Sequence, residues 1–411
     1  GSGSTEGTPS SAGVPQGATQ YTRTVEYNDI SAMSRLHRSA SAQMSRPAIS
    51  IQKSGGWTFG SPSVLMMFYR ASGELQSELT EMDECMPHYY KITNGHGQGA
   101  ETIMRAEADF MRACFADAQI MLERAYAQID GNGQENMALC CDFLAWRLSL
   151  CTSFTPRESF EQRREALLQQ HNVAWLNILQ SSCAYYYALL GLPEKIPAVF
   201  REHQLASIHF LAPGKPMMEL IENQVYLAQG EYAKVIGHSE ALLGMCEAMH
   251  YALVALHIRL QTAAAYEMLG KRETADELLI SALAAAGPDA LYLPFVENYR
   301  YLKTALTRGA GAKFAAFVRT VTPLGEDFVR RCGEKRAEGS RPAALAGLTE
   351  RESAIAALVA KRLSNREIAE QLFLSEGSVK QYINQIYSKL LITGDVRTKR
   401  KRLAELAAPK S

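Results

Sequence analysis

Two local signals near the carboxy-terminal end decide where helices begin, and they leave little freedom for what lies between them. Thr349 and Ser364 each stand three residues before a glutamate, Glu352 and Glu367, at the head of an apolar run. In such a capping box the hydroxyl accepts a first-turn amide while the carboxylate reaches back to the amide of the cap, so the helix start is fixed. The first helix carries Ile355, Leu358 and Val359 as its inward stripe, and the second carries Ile368, Ala369 and Leu372. A third starts at Ser375, after the tight segment FLSEG. Its Val379, Ile383, Ile386 and Leu390 recur at helical spacing and form one core face. The opposite side presents Lys380, Gln381, Asn384, Gln385 and Ser388.

Charge is distributed to match. The 411 residues have a formal net charge of zero, with 21% charged and 47% hydrophobic residues. That is a normal globular composition, long enough for two or more domains, and nothing global points to nucleic acid or membrane. From Ala343 onward, however, twelve lysines and arginines stand against seven acids. The local surplus of five sits on the end that carries the two capping boxes and the basic run Arg397, Lys399, Arg400, Lys401, Arg402. Such a run either meets phosphate or is a solvated helix face.

Upstream, residues 1–20 are nearly all Gly, Ser, Thr, Pro and Ala and read as a disordered linker or an expression scar. Residues 21–332 show apolar spacing of helical period. In FGSPSVLMMFYRASG, Ser61 is expected to cap a helix with Pro62 at its first position and Gly73 near its stop. A weak motif, a small residue followed by a bulky one and then a small or aliphatic one, recurs at a spacing of about forty residues. Its copies are ACFADA from Ala113, GLPEKI from Gly191, GEYAKV from Gly230 and GKRETA from Gly270, with a degenerate turn near Thr152. Glycine at such turns permits a left-handed cap, and stacked helical hairpins of this length form a TPR-like superhelix. A non-repetitive bundle with coincidental glycine turns is the alternative. Residues 333–346, polar and without periodicity, read as an interdomain linker, which leaves 347–411 as a separate domain.

Other chemistries find little support. The eight cysteines lie in apolar helical patterns without CxxC spacing, as buried thiols of a reducing cytoplasm would. The nine histidines form no HxxxH or HExxH; His250 and His257 are spaced to share a helix face, as ordinary surface or core side chains. Charges such as Asp142 and Arg147 interrupt every candidate membrane span. No nucleophile elbow, metal set or cofactor motif stands out, so no catalytic residue, metal or cofactor is expected.

Two short helices joined by a tight turn, the second showing a face of long donors and acceptors, make a helix-turn-helix. Glutamine and asparagine match adenine edges and lysine matches guanine. The run LTERE…LSNREIAEQLFLSEGSVKQYINQIYSKL, gapless from Leu348 to Leu390, resembles the DNA-binding domain of LuxR-type transcription regulators. The resemblance implies that Lys380, Gln381 and Asn384 face bases and that Asn365, Arg366, Ser378 and Lys389 lie near phosphates. Arg397, Lys399 and Arg400 are added as phosphate contacts from the basic run. The sequence departs from the family pattern in three places. Tyr382 stands at the usual histidine position, Leu391 replaces the usual glycine, and the ending TGDVRTKRKRL is longer.

The stretches YNDISAMSRLHRSASAQMSRP, TFGSPSVLMMFYR and ELTEMDECMPHYYKITNGHGQGAE resemble what precedes the repeats in large MalT-like LuxR regulators, in which an effector-binding superhelix joins a nucleotide-switched ATPase to the DNA-binding domain. No GxxxxGK[ST] occurs here, since Pro216 follows Gly214-Lys215 where Ser or Thr would meet Mg²⁺. The expected architecture is all-α, a TPR-like helical-repeat sensor followed by a LuxR-type helix-turn-helix domain. The expected partners are double-stranded promoter DNA, RNA polymerase if the protein activates, an effector molecule or protein, and a second copy on DNA. Trp146, Trp175, Tyr185, Tyr186 and His209 are either an effector pocket or packing between helical layers. The competing readings are a helical-repeat interaction scaffold and a sensor and output fragment of an ATP-dependent activator.

Overall fold

Apolar residues at three- and four-residue spacing become helices throughout the computed structural model, which describes residues 61–92, 95, 97–131, 133–169, 173–208, 212–309, 311–339 and 348–407. The fold is all-α, with no strand among these residues. The chain divides into two compact units, residues 1–332 and 333–411. The expectations for residues 1–20, for the stretch from Tyr27 and for His209 lie outside the described residues.

The first unit opens with α1 (Leu65–Phe68), α2 (Leu75–Ile92), α3 (Ala100–Met111), α4 (Phe115–Ile129) and α5 (Glu135–Cys151). It continues through α6 (Phe160–Gln169), α7 (Val173–Leu190), α8 (Ala198–Arg201), α9 (Lys215–Gln229) and α10 (Tyr232–Ala248). It closes with α11 (Ala252–Met268), α12 (Arg272–Ala286), α13 (Leu293–Glu297), α14 (Tyr299–Gly309) and α15 (Ala315–Gly339). The last of these runs to Gly339, into the segment whose composition suggests a linker. Gly333 does not break it, because a glycine inside a helix costs only about 1 kcal/mol against alanine.

The recurring turns have one construction. Ala113, Gly230 and Gly270 all take positive φ, at 60°, 78° and 74°. After each, the next amide closes onto a carbonyl five residues back: Cys114 onto Asp109, Glu231 onto Tyr226, Lys271 onto Tyr266, at 2.8–2.9 Å. This is the Schellman closure, and it folds α3 on α4, α9 on α10 and α11 on α12. The Gly191 copy begins identically, with Leu192 N bonded to Tyr187 O at 3.0 Å. It then yields only a 3-10 turn (Pro193–Lys195) and the short α8, because Pro193 and Pro197 interrupt the amide ladder.

Ser61 does not cap a helix. Its hydroxyl closes a local turn with Ser63, and α1 starts at Leu65, whose amide donates instead to Glu107 Oε2 at 2.6 Å. His257 is fully buried on α11 while His250 is exposed on the turn before it, so the two do not share a face.

α5 is buried nearly all round, which marks it as the central helix of this unit. Its two mid-helix charges are both paired. Asp142 accepts from Tyr126 Oη at 2.7 Å and Arg163 Nε at 2.6 Å. Arg147, 1% exposed, donates to Glu297 Oε1 at 2.8 Å, and Tyr185 Oη donates to the other oxygen at 2.7 Å. The guanidinium also lies 4.9 Å from the Phe110 ring centre and 5.2 Å from that of Phe143.

Removing one member of a buried pair strands the other charge, at about 3–5 kcal/mol, whereas replacing both is far milder. Arg147→Met should therefore lose roughly that much stability in urea denaturation. Arg147→Met/Glu297→Gln should recover most of it, since the new side-chain amide still offers an oxygen to the Tyr185 hydroxyl. Equal losses in the single and double variants would show that the charge is not what the core requires.

Candidate nucleic-acid interface

The second unit is built on α16 (Glu350–Ala360), α17 (Asn365–Leu372), α18 (Glu376–Lys389) and α19 (Val396–Ala407). Both capping boxes form as the sequence implies. Glu352 N is bonded to Thr349 Oγ1 at 3.3 Å, and Thr349 N donates back to Glu352 Oε2 at 2.8 Å. The equivalent distances at Ser364 and Glu367 are 3.3 and 2.7 Å. The turn into α18 passes through Phe373 at φ 52°, closed by Leu374 N on Ala369 O at 2.9 Å, and Ser375 caps α18 through Ser378 N at 3.0 Å. Ile355, Val359, Ile368, Val379, Ile383, Ile386 and Leu403 form the core that fixes the two helices of the turn.

With Val379, Ile383 and Ile386 inward, the opposite face of α18 is necessarily outward. Lys380, Gln381, Asn384, Gln385 and Ser388 are all exposed. The side chains of Lys380, Gln381 and Asn384 make no hydrogen bond within the described residues, so their donors and acceptors are available to a ligand. One rigid helix thus presents a set of amide and ammonium groups on a single face.

The expected phosphate-contacting residues divide into two groups. Arg366 and Arg397 are exposed; Arg366 carries only a surface pair with Glu370 at 3.2 Å, which contributes little. Others hold the domain together. Lys389 Nζ donates to Glu352 Oε2 at 2.7 Å, tying the end of α18 to the start of α16. Arg400 donates to Asn365 Oδ1 at 2.7 Å and Leu363 O at 2.6 Å, tying α19 to the start of α17. Ser378 Oγ meets Ser375 Oγ at 2.8 Å, and Lys399 lies over the Tyr387 ring. Arg351 belongs with this second group although it stands out in no motif. It donates to Leu372 O at 2.9 Å and completes the carboxy-terminal end of α17, a contact that no local spacing signals.

In the first unit, the aromatic residues weighed as an effector pocket pack inward. Trp146 and Trp175 are 3% and 5% exposed and share a cluster with Leu139, Leu167, Ile178 and Leu179, against which Tyr186 is half-buried. Tyr185 belongs to the larger core and is occupied by Glu297. None of these lines either of two large cavities formed by described residues of the unit, and their side chains meet those of neighbouring helices instead. No described helix is long and apolar enough to cross a membrane, and no metal-binding group of His, Cys, Asp and Glu is found among the described residues.

Comparison with known proteins places a domain of the luxR family of bacterial regulatory proteins at residues 346–400. The chain is similar to the transcriptional regulatory protein LnrK of Bacillus subtilis (strain 168), with 41% identity over 121 residues, 28% of this chain and 53% of that protein. It is similar also to the DNA-binding transcriptional activator DevR/DosR of Mycobacterium tuberculosis (strain H37Rv), with 34% identity over 117 residues, 28% of this chain and 50% of that protein. The chain thus spans about half the length of the curated relatives it matches. No solved structure matches it.

Glu352 offers a test of the contacts that frame this surface. Its burial opposes the charge, yet Lys389 and the Thr349 donors prevail and hold its carboxyl below the usual 4.5. A folded-state value below the unfolded one contributes stability at neutral pH that disappears as pH falls through the folded value. Glu352→Gln should therefore melt below the parent chain at pH 7 in scanning calorimetry, and the gap should narrow as the pH is lowered through and below 4.5. A gap independent of pH would refute the ionic role.

Proposed function

We propose that the chain is a transcription regulator that binds promoter DNA through α18, with the first unit receiving a small-molecule or protein signal. The observation that carries this reading is the exposed polar face of α18 within a domain that matches the luxR family. The match to relatives named as transcription regulators supports it. A helix of this kind enters the major groove, where Lys380 suits guanine O6 and N7, and Gln381 and Asn384 suit adenine N6 and N7. Arg366, Arg397, Lys401 and Arg402, all exposed, supply phosphate contact. Binding as a dimer or larger array on paired half-sites would raise affinity through effective concentration. RNA polymerase is the further partner if the protein activates. The helical pairs of the first unit suit the sensor role of the larger MalT-like subgroup.

A second reading has one observation in its favour. Phe373, Leu391 and Val396 are 95%, 85% and 80% exposed, more apolar surface than a phosphate-facing domain needs. A scaffold that uses this unit for protein contact would rest on those three side chains.

Selection from a randomised duplex pool at fixed moderate salt separates the two. The chain should enrich a motif that Lys380→Ala/Gln381→Ala/Asn384→Ala loses, and a failure of both proteins to enrich any sequence would favour the scaffold. Salt titrations refine the test. Loss of Arg397 or Arg402 should reduce the logarithmic salt slope by about one each at unchanged melting temperature, whereas Lys389→Ala should lower the melting temperature.

A further inference from the structure

The first unit contains a cavity of about 660 Å³ between α9 and α10, closed at one end by the segment around His203. This is within the size range of small-molecule sites. α9 turns one face toward it, with Met218, Glu219, Glu222 and Tyr226 at helical spacing. α10 contributes Leu242 and Met245, and the closing segment contributes His203, Leu205 and Ile208. The wall is mainly apolar and includes two methionines, whose flexible side chains adapt to a ligand's shape.

We propose that this cavity binds a small organic cation, a protonated primary amine on an apolar body, with the Glu222 carboxylate as counter-charge and His203 Nδ1 as second acceptor. Hydrogen-bond directions identify the two acceptors. Gln229 Nε2 donates to Arg201 O at 3.0 Å, so Gln229 Oε1 is the atom facing His203 Nε2 at 2.8 Å. His203 Nε2 must therefore carry a proton. Burial lowers the pKa of this imidazole, so it is neutral and Nδ1 presents a lone pair. Nδ1 is buried without a hydrogen-bond partner, and it stands 3.4 Å from Glu222 Oε1.

Two acceptors thus face each other, one on a carboxylate whose side chain is only 8% exposed. A group with several N–H donors and a positive charge satisfies both at once, and a primary ammonium is the smallest that does. An anion would meet the carboxylate, and an alcohol would bring one proton to two lone pairs.

The surrounding charges agree. Glu219, Glu222 and Glu231 stand against Lys215 and Lys234 among the described residues around the cavity. Lys234 is already paired with Glu231 at 2.5 Å and lies over the Tyr226 ring, and Lys215 is exposed. The Tyr226 ring is stacked on His203 at 4.0 Å and meets His238 edge-on, so it serves as wall. A second groove among the described residues, about 810 Å³, brings Arg70 and Arg259 together with Glu240 and Glu247 and has no buried carboxylate on its wall. It lacks the feature that selects a cation.

Burial, with Glu219 nearby, raises the Glu222 pKa to about 7. Proton and ligand therefore compete for one carboxylate, and amine affinity should fall as pH drops below that value.

This site stands apart from the regulatory reading and does not depend on DNA binding. Calorimetric titration of the full chain at pH 8 with phenethylamine, tryptamine, benzylamine and hexylamine tests it, with phenylacetate and 2-phenylethanol as anionic and neutral counterparts. At least one amine should bind at one site per chain and raise the melting temperature, and the counterparts should not. Glu222→Gln should weaken binding by about tenfold or more. Gly237→Leu should block the site without unfolding it, because a Cβ at this exposed helical position meets nothing within 4 Å and leucine favours the helix over glycine. The proposal fails if no amine binds at millimolar concentration, if phenylacetate binds as well, or if both variants bind like the parent chain.

Discussion

The first unit depends on one buried ion pair, Arg147 with Glu297, because the central helix that carries the arginine has almost no exposed side to which a charge could escape. An unpaired guanidinium at that depth is not tolerable, so α13 must bring Glu297 to it, and Tyr185 must turn its hydroxyl to the same carboxylate. The rings of Phe110 and Phe143 fill the remaining faces of the guanidinium. Three helices are thereby registered against α5 by geometry rather than by apolar contact alone, which distinguishes few arrangements.

The same device recurs. Asp142 takes Tyr126 and Arg163, Asp289 takes Tyr69 Oη and Gly73 N at 2.6 Å each, and Glu107 takes the amide of Leu65. Glu352 does the same in the second unit, with Thr349 and Lys389. Each of these buried carboxylates accepts at least one protein donor. Glu222 differs in what faces it, since its Oε1 stands 3.4 Å from His203 Nδ1, a nitrogen buried without a hydrogen-bond partner. A carboxylate beside that orphaned nitrogen is what gives the pair its meaning as a ligand site, because most buried polar atoms have a partner.

What the sequence makes legible follows from the range of the forces involved. The capping boxes, the core face of α18 and the left-handed turns at Gly230 and Gly270 are decided within a few residues, and local spacing reveals them. Arg147 with Glu297, Lys389 with Glu352 and Arg400 with Asn365 join residues far apart in the chain, and no spacing signals them. Ser61 shows how a local signal loses. It has the residue type of a cap, but the buried carboxyl of Glu107 supplies an acceptor to the amide of Leu65, and the helix begins there. The aromatic residues from Trp146 to Tyr186 show the limit of periodicity, which reports that a side chain faces inward but not whether it meets a ligand or another helix. The cavity lined by Glu222 is illegible for a related reason. Its diagnostic feature is the tautomer of His203, and that depends on Gln229 and on the carbonyl of Arg201.

In the second unit, polar residues of similar appearance have different duties. Lys389 and Arg400 are held by internal acceptors, whereas the side chains of Lys380, Gln381 and Asn384 make no hydrogen bond among the described residues. That difference matters for recognition. A helix kept in place by buried contacts, by the Ser375 cap at its start and by the Lys389–Glu352 ion pair at its end presents its outward groups in fixed positions, so little further order is lost when they meet base edges. The basic count of the sequence therefore overstates the number of cations available to phosphate. Leu391 supplies the complementary case. It takes φ 52° with its side chain 85% exposed, a strained conformation that glycine would adopt freely.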